Sequence, residues 1–142
     1  MGEVQQVFIE DMEVGQSASV SKTVTAEDIE KFAEVSMDNN PVHLDQAYAE
    51  TTPFKARIAH GMLSAGFISA VLGTKLPGKG TIYMGQTLRF KAPVKIGDTV
   101  DTTCTVKEII PEKKRVILDT VCSVAGAAVL EGEATVMAPS RG

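Results

Sequence analysis

The chain has 142 residues with a formal net charge of −4, and hydrophobic residues make up 44% of it. This length and composition predict a single globular domain over residues 1–142 with a substantial core. The acidic balance excludes general nucleic-acid binding, and no apolar run is long enough to span a bilayer.

The N-terminus and the cysteines both indicate a cytoplasmic protein. Residues 1–5 carry no basic segment followed by an apolar one, which a signal peptide would need. Cys104 and Cys122 lie far apart in predicted strands, so we expect reduced thiols in the core rather than a disulfide.

The first half of the chain predicts one strand followed by helices. Residues 17–24 alternate polar with small or apolar side chains, which predicts a strand. Thr25 and Asp28 form a capping-box pattern, so we expect a helix that begins there and runs to about Met37. A shorter helix is expected at residues 45–50.

The most apolar segment predicts a buried central helix. Residues 61–72 contain only two polar side chains, both serines, and a helix that is apolar nearly all round is expected to be buried. Gly66 costs about 1 kcal/mol there relative to alanine, so we expect another backbone to approach it closely. The run Leu76-Pro77-Gly78 ends the helix.

The second half of the chain predicts strands only. Their breaks contain proline or glycine, as in hairpin connections. The predicted strands are residues 81–90, 99–110, 116–124 and 128–138. This order of elements predicts an α+β fold, in which an antiparallel sheet of about five strands curls around a long central helix.

The segment between the two predicted N-terminal helices carries the groups best suited to chemistry. Pro41 lacks a backbone donor and disfavours a helical Asn40, so we expect Asp38 and His43 to project from a loop. A carboxylate beside an imidazole is a general acid/base pair that works near neutral pH. The second histidine, His60, follows nearby, and we interpret it as a structural side chain bonded to backbone.

Several motifs resemble the MaoC-like branch of hotdog-fold proteins, and the resemblance covers nearly the whole chain. They are Asp38-x-Asn40-Pro41-Val42-His43, Ala59-His60-Gly61-Met62-Leu63, residues 80–86, and Phe90-Lys91-Ala92-Pro93-Val94 followed by Gly97-Asp98. The first two together are specific, whereas either alone would be weak. Met37 departs from the pattern, because many family members have glycine there.

The resemblance implies a hotdog fold and the activity of a short (R)-specific enoyl-CoA hydratase. By position, Asp38 and His43 match the family's catalytic pair, Gly61 its oxyanion-binding amide and Ser69 a pocket-lining serine. The acyl tail would lie along the central helix, where Leu72 would bound its length. The family also implies a homodimer and a place in fatty acid metabolism, including the supply of polyhydroxyalkanoate precursors.

These residue types suit the addition of water to an enoyl thioester. We expect Asp38 to be the principal base and His43 to orient the water, while Asn40 and Pro41 shape the segment that carries them. Gly61 begins the central helix, where an unpaired N–H and the helix dipole favour a developing oxyanion. No metal and no cofactor are expected, since the chain has two histidines without a clustered third ligand, and the CoA thioester is itself the substrate.

The phosphates of CoA predict cations around the entrance to the site. The candidates are basic residues near predicted loops or strand ends: Arg57, Lys75, Lys79, Arg89 and Lys91. This signal is weak, because surface lysines and arginines are usually only solvated.

Three other functions stay open from the sequence. The same residues would run the reverse reaction in a 3-hydroxyacyl-[acyl-carrier-protein] dehydratase, for which the carrier protein would be a partner. A hotdog thioesterase is a second alternative, although the Asp38–His43 segment disfavours it. A non-catalytic acyl-CoA-binding dimer would not need an acid/base pair.

Overall fold

The computed structural model describes residues 2–142 and confirms the α+β fold. Six strands and four helices follow one another along the chain, with two short 3₁₀ turns at Ile9–Asp11 and Pro111–Lys113. The helices are α1 (Ala26–Ser36), α2 (Pro41–Leu44), α3 (Gln46–Glu50) and α4 (Gly61–Thr74). The strands are β1 (Ser17–Thr23), β2 (Ile82–Gln86), β3 (Arg89–Phe90), β4 (Thr99–Ile110), β5 (Arg115–Val124) and β6 (Ala127–Met137).

All six strands belong to one antiparallel sheet. Its order is β1-β4-β5-β6-β2, and the two-residue strand β3 pairs with β6 beside β2. The sheet therefore contains the expected strands, but the predicted strand at residues 81–90 is divided into β2 and β3. Bulges interrupt the register between Val106 and Glu108 and between Cys122 and Ser123, and such bulges increase local twist.

The core lies between this sheet and α4. Alternate residues of β4 and β5 are buried, as expected for strands with one face on a core. The helix contributes Ile68, Val71 and Leu72, which are almost completely buried against the sheet. The apolar area that α4 and the sheet remove from water is the main source of stability.

The central helix is not buried all round, which corrects the prediction from its composition. Within residues 2–142, one face of α4 is exposed along its whole length: Met62, Gly66, Ser69, Ala70 and Gly73. No other backbone approaches Gly66, since a Cβ built there would meet nothing within 4 Å. Small side chains on an exposed helical face leave room for a second surface to approach closely.

The N-terminal helices are short and are fixed by their caps. Thr25 accepts from the Asp28 amide at 3.1 Å and its own amide donates to the Asp28 carboxylate at 3.0 Å, which forms the predicted capping box. Asp45 caps α3 by accepting from the Tyr48 amide at 3.1 Å. These caps hold the helices that carry the site. None of the helices described is long and apolar enough to cross a membrane.

Candidate active site

The segment from α1 to α2 is built by local hydrogen bonds. Met37 ends α1 in the left-handed region at φ 67°, which turns the chain sharply before Asp38. The Asp38 amide donates to Ser36 Oγ at 3.2 Å, and the Asp38 carboxylate accepts from the Asn40 amide at 3.3 Å. Because Asp38 is exposed, its carboxylate stays open to a ligand.

Pro41 begins a helix rather than excluding one, so the prediction of a loop as far as His43 was wrong. Asn40 is the N-cap of α2 and accepts from the Val42 amide at 3.2 Å. Proline fits the first helical position because its missing N–H would be unpaired there in any case. Asp38 thus lies in the loop, whereas His43 projects from a single helical turn.

The tautomer of His43 follows from its backbone contact. His43 Nδ1 lies 2.8 Å from the Ile58 carbonyl oxygen, which can only accept, so Nδ1 carries the proton in the neutral ring. This leaves Nε2 as the nitrogen free to accept a proton. Burial lowers the pKa of His43 below its usual value of 6.5, and His60 lowers it further. The Ile58 contact and the charge of Asp38 act in the opposite direction.

His60 is buried directly against this pair. Its Nε2 lies 2.8 Å from the backbone carbonyl oxygen of Asp38, and its ring stacks on His43 with 3.8 Å between centroids. The expectation that His60 bonds to backbone is therefore met, and the backbone it bonds is that of Asp38.

Asp38 clusters with His43 and His60, so the expectation that the two histidines lack a clustered third ligand was wrong, and the spacing can be tested for a metal ion. Side-chain ligand atoms, one from each residue, lie within 4.8 Å of one another. The two rings are stacked at 26°, so their lone pairs lie in nearly parallel planes and do not converge on one ion. A water molecule between Asp38 and His43 fits that spacing better, since two hydrogen bonds of about 2.8 Å can bridge it.

An apolar cavity opens beside His43 at the N-terminus of α4. Its volume is about 490 Å³, and Gly61 lies in its wall. A Cβ built at Gly61 would be 2.5 Å from Cε1 of Phe90, so any side chain there would displace that ring. The larger apolar side chains of the lining are Phe54, Ile58, Met62, Phe90, Val94 and Leu130.

The remaining candidates are dispersed. Lys91 lines the cavity and forms an ion pair with Glu131 at 3.8 Å. Arg57 donates to the His43 carbonyl at 2.7 Å, and Lys75 donates to the Ser19 carbonyl at 2.8 Å. Lys79 is exposed beyond the far end of α4 from the cavity, and Arg89 lies outside the cavity on β3.

Two predicted acyl-pocket residues do not line this cavity. Within residues 2–142, Ser69 lies on the exposed face of α4, and Leu72 is buried in the core with 1% exposure. The expectation that both border the acyl chain is therefore not met inside a single chain.

The structure adds site residues that the sequence reasoning missed. The Ile58 carbonyl fixes His43, and the Phe90 ring covers Gly61. Any residue can offer a carbonyl, so no side-chain pattern could have identified Ile58. Phe90 stands in one of the quoted motifs, but its contact with Gly61 joins segments about thirty residues apart and depends on the folded chain.

The arrangement is that of a hotdog fold, a sheet curled around one helix, with an acid/base pair beside the helix N-terminus. A family model described as "MaoC like domain" matches residues 9–127. The chain belongs to this MaoC-like family.

Known proteins of this family are similar over nearly the whole chain. An (R)-specific enoyl-CoA hydratase from Rhodospirillum rubrum is 63% identical over 135 residues, which cover 95% of this chain and 94% of that protein. A 3-hydroxybutyryl-CoA dehydratase from Methylorubrum extorquens is 48% identical, over 98% of this chain and 88% of that protein.

A solved structure extends the similarity to the fold. The R-hydratase PhaJ1 from Pseudomonas aeruginosa, in its unliganded form, superimposes with a TM-score of 0.94 at 51% identity. The match covers 99% of this chain and 90% of that one. The fold is therefore that of hotdog hydratases.

Proposed function

We propose that the protein is an (R)-specific enoyl-CoA hydratase, which adds water across the double bond of a trans-2-enoyl-CoA. The observation that carries the proposal is that His43 and Gly61 line one apolar cavity, with a carboxylate oxygen of Asp38 within 4.8 Å of a His43 ring nitrogen. The similarity to an enzyme of that name over almost the full length supports it. The product is an (R)-3-hydroxyacyl-CoA, and the reaction is reversible.

Asp38 and His43 orient and deprotonate the attacking water molecule. Asp38 accepts one proton of the water as its oxygen attacks C3, and Nε2 of His43 accepts a hydrogen bond from the other. The proton taken from water is then returned to C2 from the same face, which gives syn addition. The returned proton is assigned to the pair and not to either residue alone.

The N-terminus of α4 stabilises the enolate. As the hydroxyl adds at C3, negative charge develops on the thioester oxygen, and the Gly61 N–H together with the helix dipole offsets it. An oxyanion donor of this kind typically contributes about 3 kcal/mol.

The cavity suits the acyl end of the substrate and Lys91 suits its polar end. Aliphatic carbons gain free energy by leaving water for this mostly apolar lining. Lys91 is the predicted cation that lines the cavity, and it would contact a phosphate or carbonyl of CoA. Arg57 instead serves the fold, because it donates to the His43 carbonyl.

We propose further that the active form is a homodimer in the cytoplasm. Within residues 2–142, β2 pairs only with β6, so its outer edge is free, and Ile82, Tyr83 and Met84 on it are exposed. A free strand edge with apolar side chains favours pairing with another chain. A partner on this side would also cover the face of α4 that carries Ser69, where that residue could border an acyl chain.

The test is incubation of the purified protein with crotonyl-CoA, with the loss of the conjugated enoyl thioester followed by absorbance. We expect (R)-3-hydroxybutyryl-CoA as product. Asp38→Asn and His43→Ala should each lower kcat by a factor of at least about 100 while the proteins stay folded, because each removes a proton acceptor. Formation of the (S) product would contradict the proposal.

The alternatives predict different products in the same assay. Turnover of acyl-carrier-protein thioesters but not of CoA esters would identify the carrier-protein dehydratase. Release of free CoA would identify a thioesterase. Binding of crotonyl-CoA without turnover, unchanged in Asp38→Asn, would identify a non-catalytic binding protein.

A further inference from the structure

His60 is a buried titratable side chain to which the reaction assigns no proton step. Only 3% of its surface is exposed, and it lies at the junction of α1, α2 and α4. It contacts both Asp38 and His43 and directly precedes Gly61 in the chain, so its position suggests a role beyond packing.

The first contact fixes Asp38. His60 Nε2 lies 2.8 Å from the Asp38 carbonyl oxygen, so Nε2 is the donor. This is a link across 22 positions of the chain, whereas the other bonds of the Asp38 loop span two residues each. This hydrogen bond connects Asp38, the proposed base, to the N-cap of α4.

The second contact fixes the plane of the His43 ring. His43 and His60 stack with 3.8 Å between centroids at 26°, and Phe32 packs on His60 at 4.8 Å and 54°. The three rings come from α1, α2 and the N-cap of α4. Since Nδ1 of His43 is held by Ile58, the stack leaves that imidazole little freedom to tilt.

The protonation pattern of His60 is also fixed by its surroundings. Its Nδ1 is buried and has no hydrogen-bond partner among residues 2–142. A proton there would be a buried donor without an acceptor, beside a stacked imidazole, which is unfavourable. The two neighbouring histidines therefore carry opposite tautomers, Nδ1–H on His43 and Nε2–H on His60.

We propose that His60 is a positioning residue for catalysis, which holds Asp38 and His43 in register with the Gly61 amide that follows it in the chain. This inference is based on the proposed hydratase activity. His60 also lines the cavity, so its replacement can change KM as well. A positioning role implies that kcat falls by the larger factor, because Asp38 and His43 are displaced.

Two variants separate this role from simple packing. His60→Gln keeps an N–H that can reach the Asp38 carbonyl but loses the aromatic stack. His60→Phe keeps the stack but loses the donor. Packing alone predicts that the Phe variant is the more stable and the more active of the two. If the bond to Asp38 is the more important of the two contacts for positioning, the Gln variant has the higher kcat although it is the less stable.

The measurement is kcat and KM with crotonyl-CoA, together with the midpoint of thermal unfolding. We expect kcat to fall by about 10- to 100-fold in His60→Phe with KM changed by less than about twofold, and His60→Gln to recover at least about fivefold. Ile29→Val is the matched control, since it thins the buried core of α1 and should lower stability without lowering kcat.

A folded His60→Phe protein with the kcat of wild type, or a Gln variant no better than Phe, would overturn the inference. Nitrogen NMR of labelled histidine provides a readout that is independent of activity, because the chain has only two histidines. If wild type hydrates no enoyl thioester, the proposed function fails by itself. The NMR measurement then tests the inference separately. We expect His60 to be the Nε2–H tautomer, and a mixture of tautomers would refute the inference.

Discussion

In the proposed reaction His43 acts only while its Nε2 is unprotonated, so its environment determines the acid side of the expected pH profile. Burial is the largest cause of its lowered pKa, which keeps the ring neutral below the usual value of 6.5. We expect kcat/KM to decline on the acid side with its midpoint below pH 6.5. A decline with its midpoint at or above 6.5, in a profile measured with crotonyl-CoA, would contradict this.

The same shift links pH to stability. A histidine whose pKa is lowered on folding binds its proton more readily in the unfolded chain. Its contribution to the free energy of unfolding is therefore complete above about pH 6.5 and is lost as the pH falls below that value. Urea unfolding at several pH values measures this, and His43→Ala should remove that part of the dependence.

Met37 holds a backbone conformation that favours glycine. It has φ 67° and a side chain that is 85% exposed, so it gains little from packing. Left-handed backbone costs an L residue about 1–2 kcal/mol, and we expect Met37→Gly to raise the free energy of unfolding by about 1 kcal/mol. Met37→Ala keeps the strain and should change little. Equal stability of the two variants in urea unfolding would argue against strain.

Single residues show where sequence reasoning succeeded and where it failed. The sequence singles out Asp38 and His43 because a carboxylate and an imidazole flank the Asn40-Pro41 pair, and their catalytic role stays a prediction. The helical turn under His43 was missed, because proline was taken as a terminator although it equally suits a first helical position. The hydrogen bond from His43 to Ile58 could not be predicted, because its acceptor is a backbone carbonyl and every residue has one.

At the level of elements, the start of α4 has a steric requirement that can be tested. A Cβ at Gly61 would meet Phe90 at 2.5 Å, so Gly61→Ala should displace that ring and lower kcat by about tenfold or more. Adding Phe90→Ala removes the obstacle, and the double variant should then match Phe90→Ala alone. A loss that persists in the double variant would assign the effect to the Gly61 backbone instead.

The N-cap of α1 supports the site from the opposite end of that helix. Thr25→Ala removes the hydroxyl that accepts from Asp28, and we expect the free energy of unfolding to fall by about 1 kcal/mol. Thr25→Ser keeps the hydroxyl and should be nearly neutral. Thermal unfolding of both variants checks this, and an equal loss would show that the methyl group matters more than the cap.

The strands show what the alternation of side chains can and cannot predict. β4 spans Thr99–Ile110, as its alternation predicted, because one face lies on the core. The predicted strand at residues 81–90 is broken because Thr87 crosses close to Gly132, where a Cβ would lie only 1.8 Å from the Thr87 oxygen. Such a contact between distant segments depends on the whole sheet and leaves no periodic signal in the chain.

At the scale of the whole molecule, the free edge of β2 predicts self-association. Ile82 is 57% exposed on that edge, and Ile82→Lys should convert the expected dimer into a monomer because a charged edge resists strand pairing. Val35→Lys introduces the same charge at an exposed apolar residue of α1 and should leave the dimer intact. Light scattering after size exclusion distinguishes these outcomes, and a monomeric wild-type protein would exclude the dimer.

The overall fold was predictable because its signals agree along the chain. Capping box, apolar helix and hairpin breaks all specify the same α+β arrangement, and the family motifs then identify it. The exposed face of α4 was not predictable from composition, since Gly66, Ala70 and Gly73 count as apolar or neutral wherever they lie. Which face of an apolar helix meets the sheet is decided by packing.

The reactivity of the two buried thiols can report local unfolding of the core. Cys104 and Cys122 are fully buried on adjacent strands, and burial raises the pKa of Cys104 to about 12. A thiol reagent in solution can therefore titrate CoA released in an assay with little background from the native enzyme. A slow reaction of Cys104 or Cys122 with the reagent would then measure the rate at which β4 and β5 separate.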